Sequence, residues 1–125
     1  MDTLKFINEQ MTAIEVPYEF GEWTQAVTYP YTVGELPSPE DMEAEDGGES
    51  VTLIVNGFHR GDFLALEEIK QKIKKHFHPV FGLRAQTENG AIAVFYGGAF
   101  YVPTNEADLK RIQINLIIKT WRGDI

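Results

Sequence analysis

The sequence predicts a single α+β domain in which two helices pack on a mixed, mostly antiparallel sheet. The chain has 125 residues, which is about the commonest length for one domain. An alternating apolar segment at 50–59 leads into a helical stripe, and a second alternating segment, 111–119, lies near the C-terminus. Hydrophobic residues make up 43% of the chain, which is enough for one compact core spanning 1–125.

The N-terminal third of the sequence predicts one helix and two strands. Leu4, Ile7, Met11 and Ile14 recur every three or four residues, a spacing that predicts a helix over 3–12. The segment 16–23 mixes β-forming residues with Pro17, and a proline within a strand favours the edge of a sheet. The segment 27–35 is predicted to be a second strand, with Pro30 near its start.

Residues 35–49 form an acidic segment that contains prolines, glycines and seven acids but no Lys or Arg. The composition predicts a mobile acidic hairpin loop inside the domain, between two strands. The segment lacks the alternating ligands of a calcium loop, so the open interpretations are repulsion of DNA, recognition of a basic partner surface, or simple solubilisation. The candidate residues of this loop are Glu40, Asp41, Glu43, Glu45 and Asp46.

The central helix is predicted to begin after Asp62, whose carboxylate can accept from the free amides of the first turn. Pro79 ends the helix. Leu64 lies outside the apolar stripe and is predicted to be exposed. The stripe itself consists of Phe63, Leu66, Ile69, Ile73 and Phe77.

The second half of the sequence predicts a meander followed by a long strand. Asn89-Gly90 and Gly97-Gly98 favour tight turns, so short strands are expected at 83–88, 91–96 and 99–102, with Phe95 facing Phe100. The closing segment alternates isoleucine and leucine with polar residues, which indicates one buried face. Ile117 and Trp121 interrupt its polar face.

The sequence contains none of the local patterns that typically indicate catalysis. The chain has no cysteine, and His59, His76 and His78 do not have the spacing of metal ligands. We find no nucleophile elbow and no glycine-rich phosphate loop, so no enzymatic activity, cofactor or metal is expected. The net charge of −8 argues against general affinity for nucleic acids. We expect neither a signal peptide nor a membrane span, and therefore a protein made in a cytoplasm.

Large apolar residues outside the predicted core indicate association with other proteins. Trp23, Leu64, Ile117 and Trp121 are difficult to cover with two helices, so we identify them as candidate interface residues. Ordinary scatter of apolar residues over a protein surface would explain them equally well.

In the order of its segments, the chain resembles the tail-completion, or tail-terminator, proteins of long-tailed bacteriophages and prophages. The likeness covers most of the chain. It consists of the N-terminal helix, Pro17-Tyr18 with Gly21-Glu22, Tyr29-Pro30-Tyr31, the acidic Gly-rich loop, Val51-Thr52-Leu53, Leu66-Glu67-Glu68-Ile69-Lys70, Arg111-Ile112-Gln113-Ile114 and Thr120-Trp121.

The resemblance implies a small structural subunit that forms a ring, usually a hexamer, on the end of the tail tube. Its expected partners are further copies of itself, the tail tube protein and the head connector protein, while DNA passes through the ring without being read. It would be found in the host bacterial cytoplasm during assembly and then in the virion tail. The family carries no catalytic residues.

Two other functions remain open at the level of the sequence. A monomeric binding module could hold a small molecule or a protein with the aromatic residues of the meander, Phe95, Tyr96, Phe100 and Tyr101. A hydrolase whose site is assembled only in space would require a carboxylate with a strongly shifted pKa in a cleft.

Overall fold

The computed structural model describes residues 3–21, 23, 27–36, 43–45, 48–87 and 90–122. It confirms the predicted α+β fold. The elements are α1 (Thr3–Ala13), β1 (Tyr18–Phe20), β2 (Tyr31–Glu35), β3 (Glu43–Glu45), β4 (Gly48–Arg60), α2 (Leu64–His76), β5 (Leu83–Thr87), β6 (Gly90–Val102) and β7 (Leu109–Arg122).

The described strands form one seven-stranded sheet with the order β1-β2-β4-β7-β6-β5, and β3 pairs with the first residues of β4. Among the described strands, only β1 and β2 pair in parallel, and the other pairs are antiparallel. The sheet is therefore mixed and mostly antiparallel, as predicted. β1 lies at one edge, which agrees with the expectation drawn from Pro17, and β5 lies at the other.

The central strand β7 has the clearest pattern of burial. It pairs with β4 along thirteen residues and with β6 along twelve. Because successive side chains of a strand point to opposite faces, Arg111, Ile117 and the other odd-numbered residues lie opposite the fully buried row. That row consists of Ile112, Ile114, Leu116 and Ile118.

Both described helices pack on this buried face. Leu66, Ile69, Ile73 and Phe77 of the predicted stripe are buried, but Phe63 is an exception. Phe63 precedes the first turn of α2, where its ring is exposed and lies edge-on to Tyr101 at 4.6 Å. The core contains Phe6, Ile7, Met11, Leu53, Val55, Leu66, Ile69, Ile73, Phe77, Ile92 and Val94 in addition to the four β7 residues.

The predicted second hairpin at 96–99 is wrong, because β6 continues through Gly97 and Gly98 as a single strand. Its register against β7 shifts between Tyr96 and Gly98, which is a β-bulge. Gly98 has a φ of +123°, and a Cβ on Gly97 would lie 3.2 Å from the carbonyl oxygen of Asn115. Glycine therefore permits the bulge here, and the long pairing with β7 keeps the strand from turning back.

Part of the predicted acidic loop is a strand. Glu43–Glu45 pair with residues 48–50 of β4, so a hairpin is present, while Glu40, Asp41 and Asp46 lie outside the described residues. The central helix begins at Leu64, and its N-cap residue is Phe63, which makes no side-chain cap bond. Asp62 precedes the cap and fulfils its predicted role only in part, because its Oδ1 accepts from the backbone N–H of Leu64 at 3.1 Å.

Tyr18 of β1 and Thr32 of β2 pair with each other, and both place a hydroxyl group in the core. Only one of the two hydroxyl groups has a hydrogen-bond partner among the described residues. Thr32 is fully buried and its hydroxyl donates to the carbonyl oxygen of Pro17 at 2.7 Å. The buried hydroxyl of Tyr18 finds no hydrogen-bond partner in the described part of the chain, and a Cβ on Gly34 would overlap it. A buried polar group without a partner opposes folding.

We predict that Tyr18→Phe leaves the free energy of unfolding unchanged or raises it, because the substitution removes an unsatisfied hydroxyl. Thr32→Val is the matched control, since it removes a satisfied hydroxyl at the paired position and should cost about 1 kcal/mol. Urea unfolding of the wild type and both variants measures the difference. A larger loss of stability for Tyr18→Phe than for Thr32→Val would contradict this account.

Candidate interaction surfaces

The face of the sheet opposite the helices, called the open face below, has no described helix packed on it. Most of its side chains are half-buried or exposed. They include Tyr31, Val33, Ile54, Phe58, Phe95, Phe100, Arg111, Gln113, Asn115, Ile117, Lys119 and Trp121.

Cations and aromatic rings of neighbouring strands pair with one another on the open face. The ring of Phe58 stacks on Tyr31 with centroids 5.3 Å apart, and the Arg111 guanidinium lies 5.8 Å from the Phe58 centroid. Arg111 Nη2 also donates to Asn56 Oδ1 at 2.9 Å, and Asn56 Nδ2 donates to Glu35 Oε1 at 2.8 Å. The buried amide of Asn56 thus links opposite charges on two strands.

A second cationic cluster surrounds Phe95, nearer the β5 edge. Arg84 and Lys119 place their charged groups 5.9 Å and 5.7 Å from the Phe95 centroid. Cation–π contacts of this kind contribute about 0.5–1 kcal/mol at exposed sites. They also leave this part of the open face positively charged.

Two of the four predicted interface residues, Ile117 and Trp121, lie on the open face. Ile117 is half-buried and pairs with Phe95 across β6. Trp121 is 44% exposed. It lines a shallow cavity of about 300 Å³ with Arg84, Ala85, Gln86, Ala91, Ile92 and Ala93.

The other two predicted interface residues lie beside other elements, Trp23 next to β2 and Leu64 on α2. Trp23 is half-buried beside β2, where its indole N–H donates to the Thr32 carbonyl oxygen at 2.9 Å and its ring lies 5.7 Å from Tyr31. Leu64 is 62% exposed, as expected, on the outer side of α2. There it borders a groove of about 500 Å³ with Glu67, Glu68, Gln71, Lys72 and Lys75. The four residues therefore do not form one patch, and their role as contacts stays a prediction.

The four aromatic residues of the predicted meander do not converge on one pocket. The pairing with β7 places Phe95 and Phe100 opposite Ile117 and Gln113, on the open face. Tyr96 and Tyr101 pair with Leu116 and Ile112 and so lie on the helix face.

Sequence reasoning missed the most exposed apolar residues of the described chain. Val80 and Phe81, called the apolar knob below, are 68% and 70% exposed in the connection between α2 and β5. The sequence does carry a signal: two large apolar residues between Pro79 and Gly82 occupy a turn too short to bury them.

Hydrogen bonds hold the backbone of the apolar knob. The backbone N–H groups of Val80 and Phe81 donate to His78 Nδ1 at 3.0 and 3.1 Å, and the Gly82 N–H donates to the His78 carbonyl oxygen at 2.9 Å. Arg84 Nε donates to the Phe81 carbonyl oxygen at 3.2 Å. The exposure of the knob is thus built into the fold.

A second feature that sequence reasoning missed is a cavity of about 360 Å³ at the start of α2, called the end pocket below. Tyr101, on its wall, donates a hydrogen bond to Glu67, and this bond holds the pKa of Glu67 below its usual range. Lys110 Nζ lies 5.2 Å from the Phe63 centroid and donates to the Ala107 carbonyl oxygen. The lining residues are Phe63, Tyr101, Val102, Pro103, Thr104, Glu106, Ala107, Leu109 and Lys110.

The charges of the two ends of α2 differ in sign. Five carboxylates lie around the start of the helix, on Asp62, Glu67, Glu68, Glu106 and Asp108, against the three cations Arg60, Lys70 and Lys110. Arg60 bonds Glu106 and Asp108 at 3.2 and 3.0 Å. At the other end, Lys74, Lys75 and Arg84 form no ion pair with another described residue.

The three histidines take separate structural positions. His76 Nε2 lies 2.8 Å from Gln10 Oε1 and joins α2 to α1, whereas His78 holds the apolar knob and His59 lies on β4. Among the described residues, no group of three His, Asp or Glu side chains could hold a metal ion. None of the described helices is both long and apolar enough to cross a membrane.

Two comparisons with known proteins found no relative of this chain. No protein-family model matches the chain, and no curated protein matches it.

We predict that His76 makes stability depend on pH near neutrality. Burial lowers the pKa of His76, so the unfolded state takes up the proton first as pH falls below about 6.5. The free energy of unfolding therefore decreases from that pH downward, until the folded state also binds the proton. His76→Gln, which cannot titrate, should unfold with a smaller dependence on pH between 7 and 5. Equal slopes for both proteins would refute the assignment.

Proposed function

We propose that this protein is a structural subunit of a phage or prophage tail, which forms a ring on the end of the tail tube and joins it to the head connector. The ring consists of copies of this chain, in the hexameric arrangement usual for the proteins it resembles. DNA crosses the ring without specific contacts, and the subunit has no catalytic role.

The observation that carries the proposal is the distribution of exposed apolar side chains over separate surfaces. Trp121 lies on the open face, Leu64 on the outer side of α2, and the apolar knob at the end of that helix. A ring subunit on a tube needs separate surfaces of this kind, because it contacts two neighbours and two further partners. A monomeric binder of small molecules needs one concave site in which apolar and polar groups converge.

Under this proposal, neighbouring subunits contact each other through a strand edge and the open face. The edge strand β5 presents backbone groups that are free to pair on one side. Trp121 and Ile117 lie close to that edge through their pairing with β6, and they supply the apolar anchors.

We predict that Trp121→Glu weakens ring formation, because the substitution places a charge in an apolar contact. Val27→Glu is the control, since Val27 is 38% exposed, close to the 44% of Trp121. Val27 lies in the connection between β1 and β2, the strands at the edge of the sheet opposite β5. Native mass spectrometry gives the oligomer mass, and negative-stain imaging of purified tail tubes mixed with each variant shows whether their ends are capped. An unchanged mass and unchanged capping for Trp121→Glu would count against the proposed contact.

The same imaging separates the proposed function from the monomeric alternative. Wild-type protein should cap tube ends even if the free protein is a monomer, because subunits of this type can assemble on the tail itself. A protein that stays monomeric and ignores tail tubes would overturn the proposal.

A further inference from the structure

The apolar knob and the end pocket lie at opposite ends of α2. The end pocket is lined by Phe63, which directly precedes the helix, and the knob begins three residues after Phe77, which follows it. Thirteen helical residues at about 1.5 Å each place the two features roughly 20 Å apart. Within one molecule, the knob therefore cannot reach the pocket.

The two features are complementary in size and polarity. The knob is a projection of one Val and one Phe side chain, and the end pocket is a concavity of about 360 Å³ with an apolar wall of Phe63, Tyr101 and Pro103. A Val and a Phe side chain together are smaller than this volume. Because hydrogen bonds to His78 already fix the backbone of the knob, little backbone entropy would be lost when it binds.

The charges around the two features are complementary as well. Arg84 bonds the knob's backbone, and Lys74 and Lys75 lie in the last turn of α2 just before it. None of the three cations forms an ion pair with another described residue. Carboxylates outnumber cations around the end pocket, where Glu106 and Asp108 remain more than half exposed in their ion pairs with Arg60. Opposite charges at the rim would orient a knob that enters the pocket.

We infer that the end pocket receives the apolar knob of a second copy of this chain. The contact is head-to-tail, because it joins two different surfaces of identical subunits. Head-to-tail contacts generate closed rings when the rotation between subunits closes, and open filaments when it does not. The inference rests on the proposed function for its ring, but it makes a separate statement about which surfaces touch.

Engineered cysteines test the inference directly, because the natural chain contains none. Val80→Cys and Ala107→Cys are placed on separate copies, which are mixed and oxidised at a concentration at which the wild type self-associates, or on tail tubes. A disulfide requires Cα atoms within about 7 Å. If the knob occupies the pocket, the mixture should give a covalent dimer, identified by non-reducing electrophoresis and by mass spectrometry of the linked peptides.

The controls distinguish other modes of contact. Val27→Cys mixed with Ala107→Cys should give no covalent dimer, since Val27 is exposed but is not part of the knob. Dimers formed by Val80→Cys alone, in the same yield as the mixture, would indicate knob-to-knob contact and overturn the inference. A self-associating or tube-capping wild type whose mixture does not cross-link would also overturn it, while leaving the proposed function intact. A wild type that does neither would overturn both.

A second variant tests the energetic role of the knob. Phe81→Asp should raise the dissociation constant of self-association about tenfold or more, because it replaces an apolar anchor with a charge. Phe81→Leu keeps the apolar character and should restore most of the affinity. Because Phe81 is largely exposed, both variants should fold as the wild type does, which thermal unfolding checks. Equal sedimentation behaviour of Phe81→Asp and wild type would contradict a docked knob.

Discussion

The pairing of β7 with strands on both of its sides is the constraint on which the rest of the structure depends. Its thirteen pairs with β4 and twelve with β6 fix the register of the three longest strands at once. Since the side chains of β7 alternate strictly, this register also decides which side chains of β4 and β6 face the helices. A slip by one residue would transfer the whole apolar row to the other face of the sheet.

The same constraint explains why the chain has a two-layer core and still exposes large apolar groups. The two described helices cover one face of the sheet. On the other face, side chains are shielded from water only by neighbouring side chains of the described strands. Arg111, Lys119 and Arg84 provide part of this shielding by lying over Phe58 and Phe95. Such contacts shield aromatic rings from water without forming a second core, so the surface remains suited to contact with other proteins.

The parts of the fold that follow from local periodicity could be predicted from the sequence. The alternation along β7 and the apolar stripe from Leu66 to Phe77 belong to this class. The edge position of β1 was predictable for another local reason, the missing backbone N–H of Pro17. The bulge at Gly97-Gly98 could not be predicted in this way. Two adjacent glycines indicate either a turn or a bulge, and pairing with a distant strand decides between them.

The candidate surfaces were only partly visible in the sequence for a related reason. Apolar residues such as Leu64 and Trp121 lie outside their element's periodic pattern and were identified as exposed. Trp23 is equally apolar, but its indole N–H is satisfied by a neighbouring strand, which no local pattern encodes. The end pocket combines the start of α2 with the 103–108 connection, so it exists only in three dimensions.

Because of its bulge, β6 contains one more residue than it has pairing positions opposite β7: 13 residues form 12 pairs. Phe95 and Phe100 are five residues apart, an odd number, yet both side chains lie on the same face of the sheet. The reason is that Gly97 has no partner residue on β7, so the alternation of faces skips it. Loss of that glycine would leave the inward and outward sets of β6 as they are. Deletion of another residue of β6 would move the side chains on one side of the deletion to the opposite face of the sheet. In an alignment with a protein whose equivalent strand lacks the bulge, the gap must therefore be placed at Gly97. Only then are helix-facing residues aligned with helix-facing residues.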